Sequence, residues 1–125
     1  MDDLCKRLQN VSEAGEYRLN CSLEDLRASA TQGGFMVFET DIANASGKGE
    51  VLAELARAIA APDWFGHNWD ALADALGDLS WCPPASGYVL LIHGDPSGEA
   101  VLEDILGATI SFWKLRGKAF WVFIA

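Results

Sequence analysis

The sequence has no lysine or arginine between residues 58 and 113, although this stretch holds nearly half of the chain's 18 acidic residues. The acidic residues in the stretch are Asp63, Asp70, Asp74, Asp78, Asp95, Glu99, Glu103 and Asp104. Because no fixed cation in the stretch neutralises them, we expect the folded chain to present concentrated negative charge. A partner of the opposite charge is the first candidate to consider.

Positive charge is scarce in the chain as a whole. Its 125 residues include 9 Lys and Arg against 18 Asp and Glu, a formal net charge of −9 at pH 7. Direct nucleic-acid binding is disfavoured because it depends on cations that neutralise phosphates, and anionic membrane surfaces are disfavoured for the same reason. Half of the residues are hydrophobic, which excludes a disordered acidic tail and predicts one folded domain.

Cysteine is rare, and long apolar runs are absent. Cys5, Cys21 and Cys82 lie far apart without a C-x-x-C pair, so we expect reduced thiols rather than disulfides, zinc ligands or a redox motif. Residues 1–7 carry acids where a secretory signal needs basic residues. The longest apolar run, residues 119–125, is too short to span a bilayer. Together these features predict a cytoplasmic protein without a membrane segment.

Three continuous apolar runs predict the strands of an α/β fold, at residues 35–38, 88–92 and 119–124. Continuous rather than alternating runs are typical of strands covered on both faces, which indicates a parallel sheet. Helical patterns fill the intervals, at residues 50–61, 68–79 and 97–116. The resulting order β-α-α-β-α-β predicts a small three-layer unit with a three-stranded parallel sheet.

The first third of the chain gives weaker signals. We expect residues 1–33 to form an N-terminal extension packed on a domain of residues 34–125. Within the extension, the sequence favours a short first helix, a strand at residues 17–21, and a helix capped by Ser22.

The helix predicted after Asn68 has two contrasting sides. An apolar stripe on one side is formed by Trp69, Leu72, Leu76 and Leu79. Acidic residues spaced four apart lie on roughly the opposite side, at Asp70, Asp74 and Asp78. Like charges at this spacing destabilise a helix slightly, so a binding role competes with the alternative of an ordinary solvated face.

Aromatic residues precede this helix in a connecting loop. Trp64 with neighbouring acids is a typical composition for the centre of a protein interface, and it fits a core position equally well. For Phe65 the core is the favoured interpretation.

Residues 64–76, WFGHNWDALADAL, resemble the barstar family of ribonuclease inhibitors, whose motif is aromatic-Gly-x-Asn-x-Asp-Ala-Leu. The resemblance covers about residues 35–125 and includes the strand order. It implies a barstar-like fold in which Trp64 is the contact aromatic. It also implies that Gly66 and Asn68 shape the turn into the helix.

By the same resemblance, Asp70 and Asp74 match the two aspartates that enter the basic active site of the target nuclease and mimic substrate phosphate. Two positions depart from the family pattern. Ala73 stands where the well-known inhibitor of the family has tryptophan, and Phe112 aligns with an acidic residue of the last helix. The departures leave the identity of the target open.

Other motifs are weaker. Residues 46–48, Ser-Gly-Lys, follow a strand as a phosphate loop does, but Ile42 and Gly49 occupy positions where that loop needs Gly and Ser or Thr. His67 and His93 are expected to be ordinary turn and strand-end residues. We therefore predict no catalytic residues, no metal site and no cofactor.

Three functions remain open. The leading hypothesis is a non-enzymatic immunity protein that blocks the active site of a basic ribonuclease or nuclease toxin in a 1:1 complex. The alternative is a regulatory module that binds another basic protein. The third is a divalent-metal hydrolase that uses the acidic surface.

Overall fold

The computed structural model describes residues 2–62, 66 and 68–125, which form five helices and four strands. In chain order they are α1 Asp2–Leu8, β1 Glu16–Arg18, α2 Leu23–Gln32, β2 Phe35–Asp41, α3 Gly47–Ala58, α4 Trp69–Leu76, β3 Gly87–His93, α5 Ala100–Leu115 and β4 Ala119–Ile124. Short 3₁₀ turns at Val11–Glu13 and Pro96–Gly98 lie between them. The predicted order from β2 onward, and its mixed α/β class, are confirmed.

The sheet is parallel, as predicted, but it has four strands rather than three. Its strand order is β1-β4-β3-β2, and the extra strand β1 pairs with β4 from Glu16 opposite Val122 to Arg18 opposite Ile124. All three β1 residues are exposed. The prediction of three strands was wrong because the strand expected at residues 17–21 was not assigned to the sheet, whereas β1 joins it by pairing with β4 and by packing of Tyr17 against Trp121 and Phe123.

Two hydrophobic cores lie on the two faces of the sheet. Side chains of β3 and β4 alternate between them, so Leu90 and Val122 enter one core while Leu91 and Trp121 enter the other. Residues of α3, α4 and α5 complete the first core, and residues of α1 and α2 complete the second. Helix, sheet and helix therefore form three layers, and the N-terminal segment supplies one of them.

Two tryptophan side chains donate hydrogen bonds to carbonyls at helix ends, and the first of these bonds joins the sheet to α1. The Trp121 indole on β4 donates a hydrogen bond of 2.8 Å to the Leu8 carbonyl at the end of α1. The Trp81 indole donates to the Ile59 carbonyl just after α3, at 2.9 Å. Each bond pairs a carbonyl at a helix end that lacks an intrahelical partner. Among the described residues, no helix is long and apolar enough to cross a membrane.

Helix boundaries differ from the predicted ones by a few residues. Helix α4 ends at Leu76 rather than Leu79, because Gly77 caps it and Leu79 adopts a left-handed φ of 54°. Helix α5 begins at Ala100, after the Pro96–Gly98 turn. The Ser22 cap of α2 is confirmed, since its Oγ accepts a 3.0 Å hydrogen bond from the Asp25 amide. The boundary between an extension and a domain near residue 33 stays a prediction.

Candidate functional site

Asn68 starts α4 by capping its first turn. Its backbone is extended, and its Oδ1 accepts a 2.7 Å hydrogen bond from the Ala71 amide, one of the amides that an N-terminal turn leaves unpaired. Its Nδ2 donates to the Gly66 carbonyl at 3.3 Å, so the same side chain ties the exposed Gly66 to the helix. Trp64, the predicted contact aromatic, lies outside the described residues, as do Phe65 and His67.

Helix α4 has one buried side and one exposed side, as its sequence pattern indicated. Leu72 and Leu76 are completely buried. Asp70, Ala73 and Asp74 are exposed. Asp70 lies in the first turn, where the helix dipole stabilises a carboxylate. The structure therefore brings two of the predicted aspartates together on an exposed helix face.

Asp78 does not belong to this acidic row. It follows the end of α4, and its Oδ2 accepts a 3.2 Å hydrogen bond from the Ser80 hydroxyl instead. The sequence pattern suggested a third aspartate in line because it did not show that Gly77 ends the helix. Asp78 is therefore a natural control position for the other two.

The C-terminal end of α4 is anchored to α5. The Trp113 indole donates a 2.8 Å hydrogen bond to the Leu76 carbonyl, which is left without an intrahelical donor where the helix ends. Trp113 is itself buried. This bond holds the exposed face of α4 beside α5.

A groove of about 330 Å³ runs between α4 and α5 beside the acidic pair. Its lining consists of Ala73, Asp74, Gly77, Ile105, Ala108, Thr109 and Phe112. Ala73 and Phe112, the two positions that depart from the family pattern, therefore lie in one groove with Asp74. Sequence reasoning singled out both positions but could not show that the fold brings them together.

Comparison with known families identifies residues 35–125 as matching the model for Barstar (barnase inhibitor). The chain belongs to the Barstar family. The match covers β2 through β4, so it includes α4 and the groove, whereas α1, β1 and α2 precede it. No match was found among curated proteins.

A solved structure similar to this Barstar-family chain is described as the structure of Drosophila ORC bound to DNA. The two share 11% sequence identity at a TM-score of 0.48, over 98% of this chain and 78% of the other. So distant a likeness carries no argument about function.

The Barstar-family match does not by itself assign the site residues. Asn68 caps α4 and holds Gly66, while Asp70, Ala73 and Asp74 share the exposed side of the helix. Their role in binding a partner, like that of Trp64, stays a prediction.

One cation lies beside the groove, although the sequence of residues 58–113 has none. The Arg116 guanidinium lies over the Phe112 ring, 3.5 Å from its centroid, and donates a 3.1 Å hydrogen bond to the Phe112 carbonyl. This contact is a cation–π interaction on a face of the ring. Residues 58–113 contain no cation, but the fold places the Arg116 guanidinium against Phe112 of this stretch.

A second charged cluster lies at the carboxyl end of the sheet, and sequence reasoning missed it. Glu39 on β2 contacts Arg27 of α2 and also His93 of β3, the latter at 2.6 Å. Hydrogen bonds from Arg27 and then His93 hold the pKa of Glu39 below its usual value. Strand register brings residues 54 positions apart together, which no local pattern reveals.

A structural role accounts for this second cluster. The three groups are solvent-accessible and already paired with one another, which suits a tie between α2 and the sheet. Among the described residues, no group of three or more His, Cys, Asp or Glu side chains is arranged to hold a metal ion. His93 thus serves as a paired strand-end residue.

Proposed function

We propose that this Barstar-family chain is a protein inhibitor that blocks the basic active site of a barnase-type ribonuclease or a related nuclease toxin. The observation that carries the proposal is the exposed pair Asp70 and Asp74, one turn apart on a helix whose other side is buried. A rigid helix that presents two carboxylates suits a cationic cleft built to hold phosphates. The inhibitor acts by occupying this cleft, without catalysis of its own.

The proposed interface combines helix α4 with the loop that precedes it. Asp70 and Asp74 pair with cations of the nuclease, Trp64 and Gly66 contact it from the preceding loop, and Ala73 lies between the two acids. Asn68 acts by positioning, because it caps the helix that carries the acids. Because Asp70 and Asp74 form one proposed binding site, the proposed complex is 1:1.

The proposed setting is the cytoplasm, where the chain would protect its own cell as an immunity protein. The described cysteines, Cys5, Cys21 and Cys82, are all free thiols, which suits a reducing compartment. The formal net charge of −9 supports a basic protein partner and disfavours direct nucleic-acid binding.

The test is inhibition of barnase and a panel of basic secreted ribonucleases, measured with a fluorogenic RNA substrate and by calorimetry. Asp70→Ala and Asp74→Ala should each weaken binding by roughly 2–5 kcal/mol, the usual cost of truncating one partner of a desolvated charge pair, a range drawn partly from the barnase–barstar complex itself.

Asp78→Ala is the matched control and should cost much less, because Asp78 lies beyond the helix and is bonded to Ser80. Equal losses for all three variants would point to a diffuse field instead of an inserted pair. Binding without loss of nuclease activity would favour the regulatory alternative. Failure to bind any member of the panel would overturn the proposal.

A further inference from the structure

The groove between α4 and α5 is largely apolar. Its walls are formed by Ile105, Ala108 and the Phe112 ring, and its rim by Ala73 and Asp74. Among its lining residues, Asp74 is the one that carries a charge. An apolar groove of about 330 Å³ beside an acidic pair differs from the solvated polar surface expected of a simple electrostatic contact.

The groove is open because small residues face each other across it. Ala73 on α4 and Ala108 on α5 are both exposed. At the end of α4, Gly77 has no side chain, and a Cβ added there would lie 3.7 Å from the Phe112 ring. Larger side chains at these positions would fill the space.

Charge is distributed unequally around the groove. Asp74 provides a carboxylate at one rim, whereas Arg116 covers a face of Phe112 on the α5 side. A cationic side chain inserted beyond Asp74 would lose water against apolar walls and approach the Arg116 guanidinium, and both effects oppose its entry. A large uncharged side chain would bury apolar surface without either cost.

We infer that the groove receives one large apolar side chain, aromatic or aliphatic, from the same basic partner whose cations pair with Asp70 and Asp74. The inference rests on the proposed function. Because Asp74 belongs both to the acidic pair and to the rim of the groove, a partner that pairs with it also covers the groove. The partner is thus a basic protein with an exposed apolar side chain next to its cationic surface.

The groove can be tested without any nuclease. N-acetyl-tryptophanamide and N-acetyl-argininamide are titrated into the full chain while methyl NMR signals of Ala73, Ile105 and Ala108 are followed. The tryptophan probe should shift these signals with saturation, and the arginine probe should shift them at least tenfold more weakly. No saturable shift with the tryptophan probe, or stronger binding of the arginine probe, would overturn the inference.

Filling variants provide the matched comparison. Ala73→Trp and Ala108→Trp should each abolish the saturable shifts of the remaining groove methyl groups. Ala28→Trp, the same change on an exposed face of α2 across the sheet, should leave the titration unchanged. If the filling variants bind the probe as the unaltered chain does, the probe lies elsewhere and the inference fails.

A second arm uses whichever ribonuclease of the panel the chain inhibits. Ala73→Trp should weaken that complex at least tenfold, mainly through faster dissociation, while Ala28→Trp leaves it unchanged. Unchanged affinity of Ala73→Trp together with a large loss for Asp74→Ala would overturn the groove inference and leave the proposed inhibition standing. Unchanged affinity of both variants would overturn the groove inference and also the assignment of the inhibitory site to the acidic face of α4.

Discussion

At the scale of single residues, the acidic pair depends on a neutral neighbour. The Asn68 side chain accepts a hydrogen bond from the Ala71 amide through Oδ1 and donates one to the Gly66 carbonyl through Nδ2. It therefore fixes both the first turn of α4 and the approach of the loop. Asp70 and Asp74 can reach a partner together only while that turn is formed.

Replacing this cap should destabilise the protein. Asn68→Ala removes the acceptor of the Ala71 amide and should lower the free energy of unfolding by about 0.5–2 kcal/mol. Asn68→Asp keeps an oxygen acceptor and should stay close to the unaltered chain. Urea denaturation followed by circular dichroism measures both. Equal losses for the two variants would show that the amide donor to Gly66, rather than the cap, is what matters.

At the scale of elements, the end of α4 illustrates how backbone conformation decides the effect of a glycine. Gly77 has φ −86°, which any residue adopts, and a Cβ there would meet only ordinary contacts, the nearest at 3.5 Å. Gly94, after β3, has φ 112°, and a Cβ there would lie 2.7 Å from the Ala43 amide nitrogen. The first position tolerates a side chain and the second does not.

Gly77→Ala should therefore stabilise the chain by about 0.4–1 kcal/mol, because alanine restricts the unfolded chain without straining the folded one. Gly94→Ala should destabilise it by more than that, since both conformation and space oppose a Cβ. Thermal unfolding of the two variants side by side gives the comparison. A loss of stability for Gly77→Ala as large as for Gly94→Ala would contradict the assigned conformation.

Elements that depend on hydrophobic pattern were predictable from sequence, and elements that depend on long-range pairing were not. The runs at β3 and β4 and the apolar stripe through Leu72 and Leu76 mark buried surface, which sequence records directly. Strand β1 has no buried residue, so the sequence favoured a strand at residues 17–21 without showing that Glu16–Arg18 pairs with β4. The groove likewise arises from packing of α5 on α4, so sequence named Ala73 and Phe112 without showing that they line one space.

At the scale of the whole molecule, the segment that precedes the family match completes the second core. Leu8 and Leu26 pack there against the β3 and β4 side chains Val89, Trp121 and Phe123. Without this segment one face of a parallel sheet would be bare, whereas parallel sheets are normally covered on both faces. Residues 1–33 thus contribute to stability, at a distance from the acidic pair on the opposite side of the sheet.

A chain lacking residues 1–33 should expose that face and associate. We expect it to bind the dye ANS strongly. We also expect it to sediment as oligomers at concentrations where the intact chain does not oligomerise. The intact chain measured in parallel is the control. A shortened chain that stays monomeric and unfolds cooperatively at the same urea concentration would show that the second layer is dispensable.

The charge of the whole molecule leads to a kinetic prediction for the complex with a basic nuclease. With a formal net charge of −9, the chain should attract such a partner before contact, so association at low salt should exceed the roughly 10⁵–10⁶ M⁻¹s⁻¹ of an unsteered pair. Stopped-flow measurements should show this rate falling steeply as salt shortens the Debye length from about 30 Å at 0.01 M to about 3 Å at 1 M. Dissociation should change less, because short contacts inside an interface are poorly screened.

Charge reversal at Asp70 and Asp74 should flatten the salt dependence as well as weaken the complex. An association rate that does not depend on salt would contradict steering, and the acidity of the chain would then act through short contacts alone.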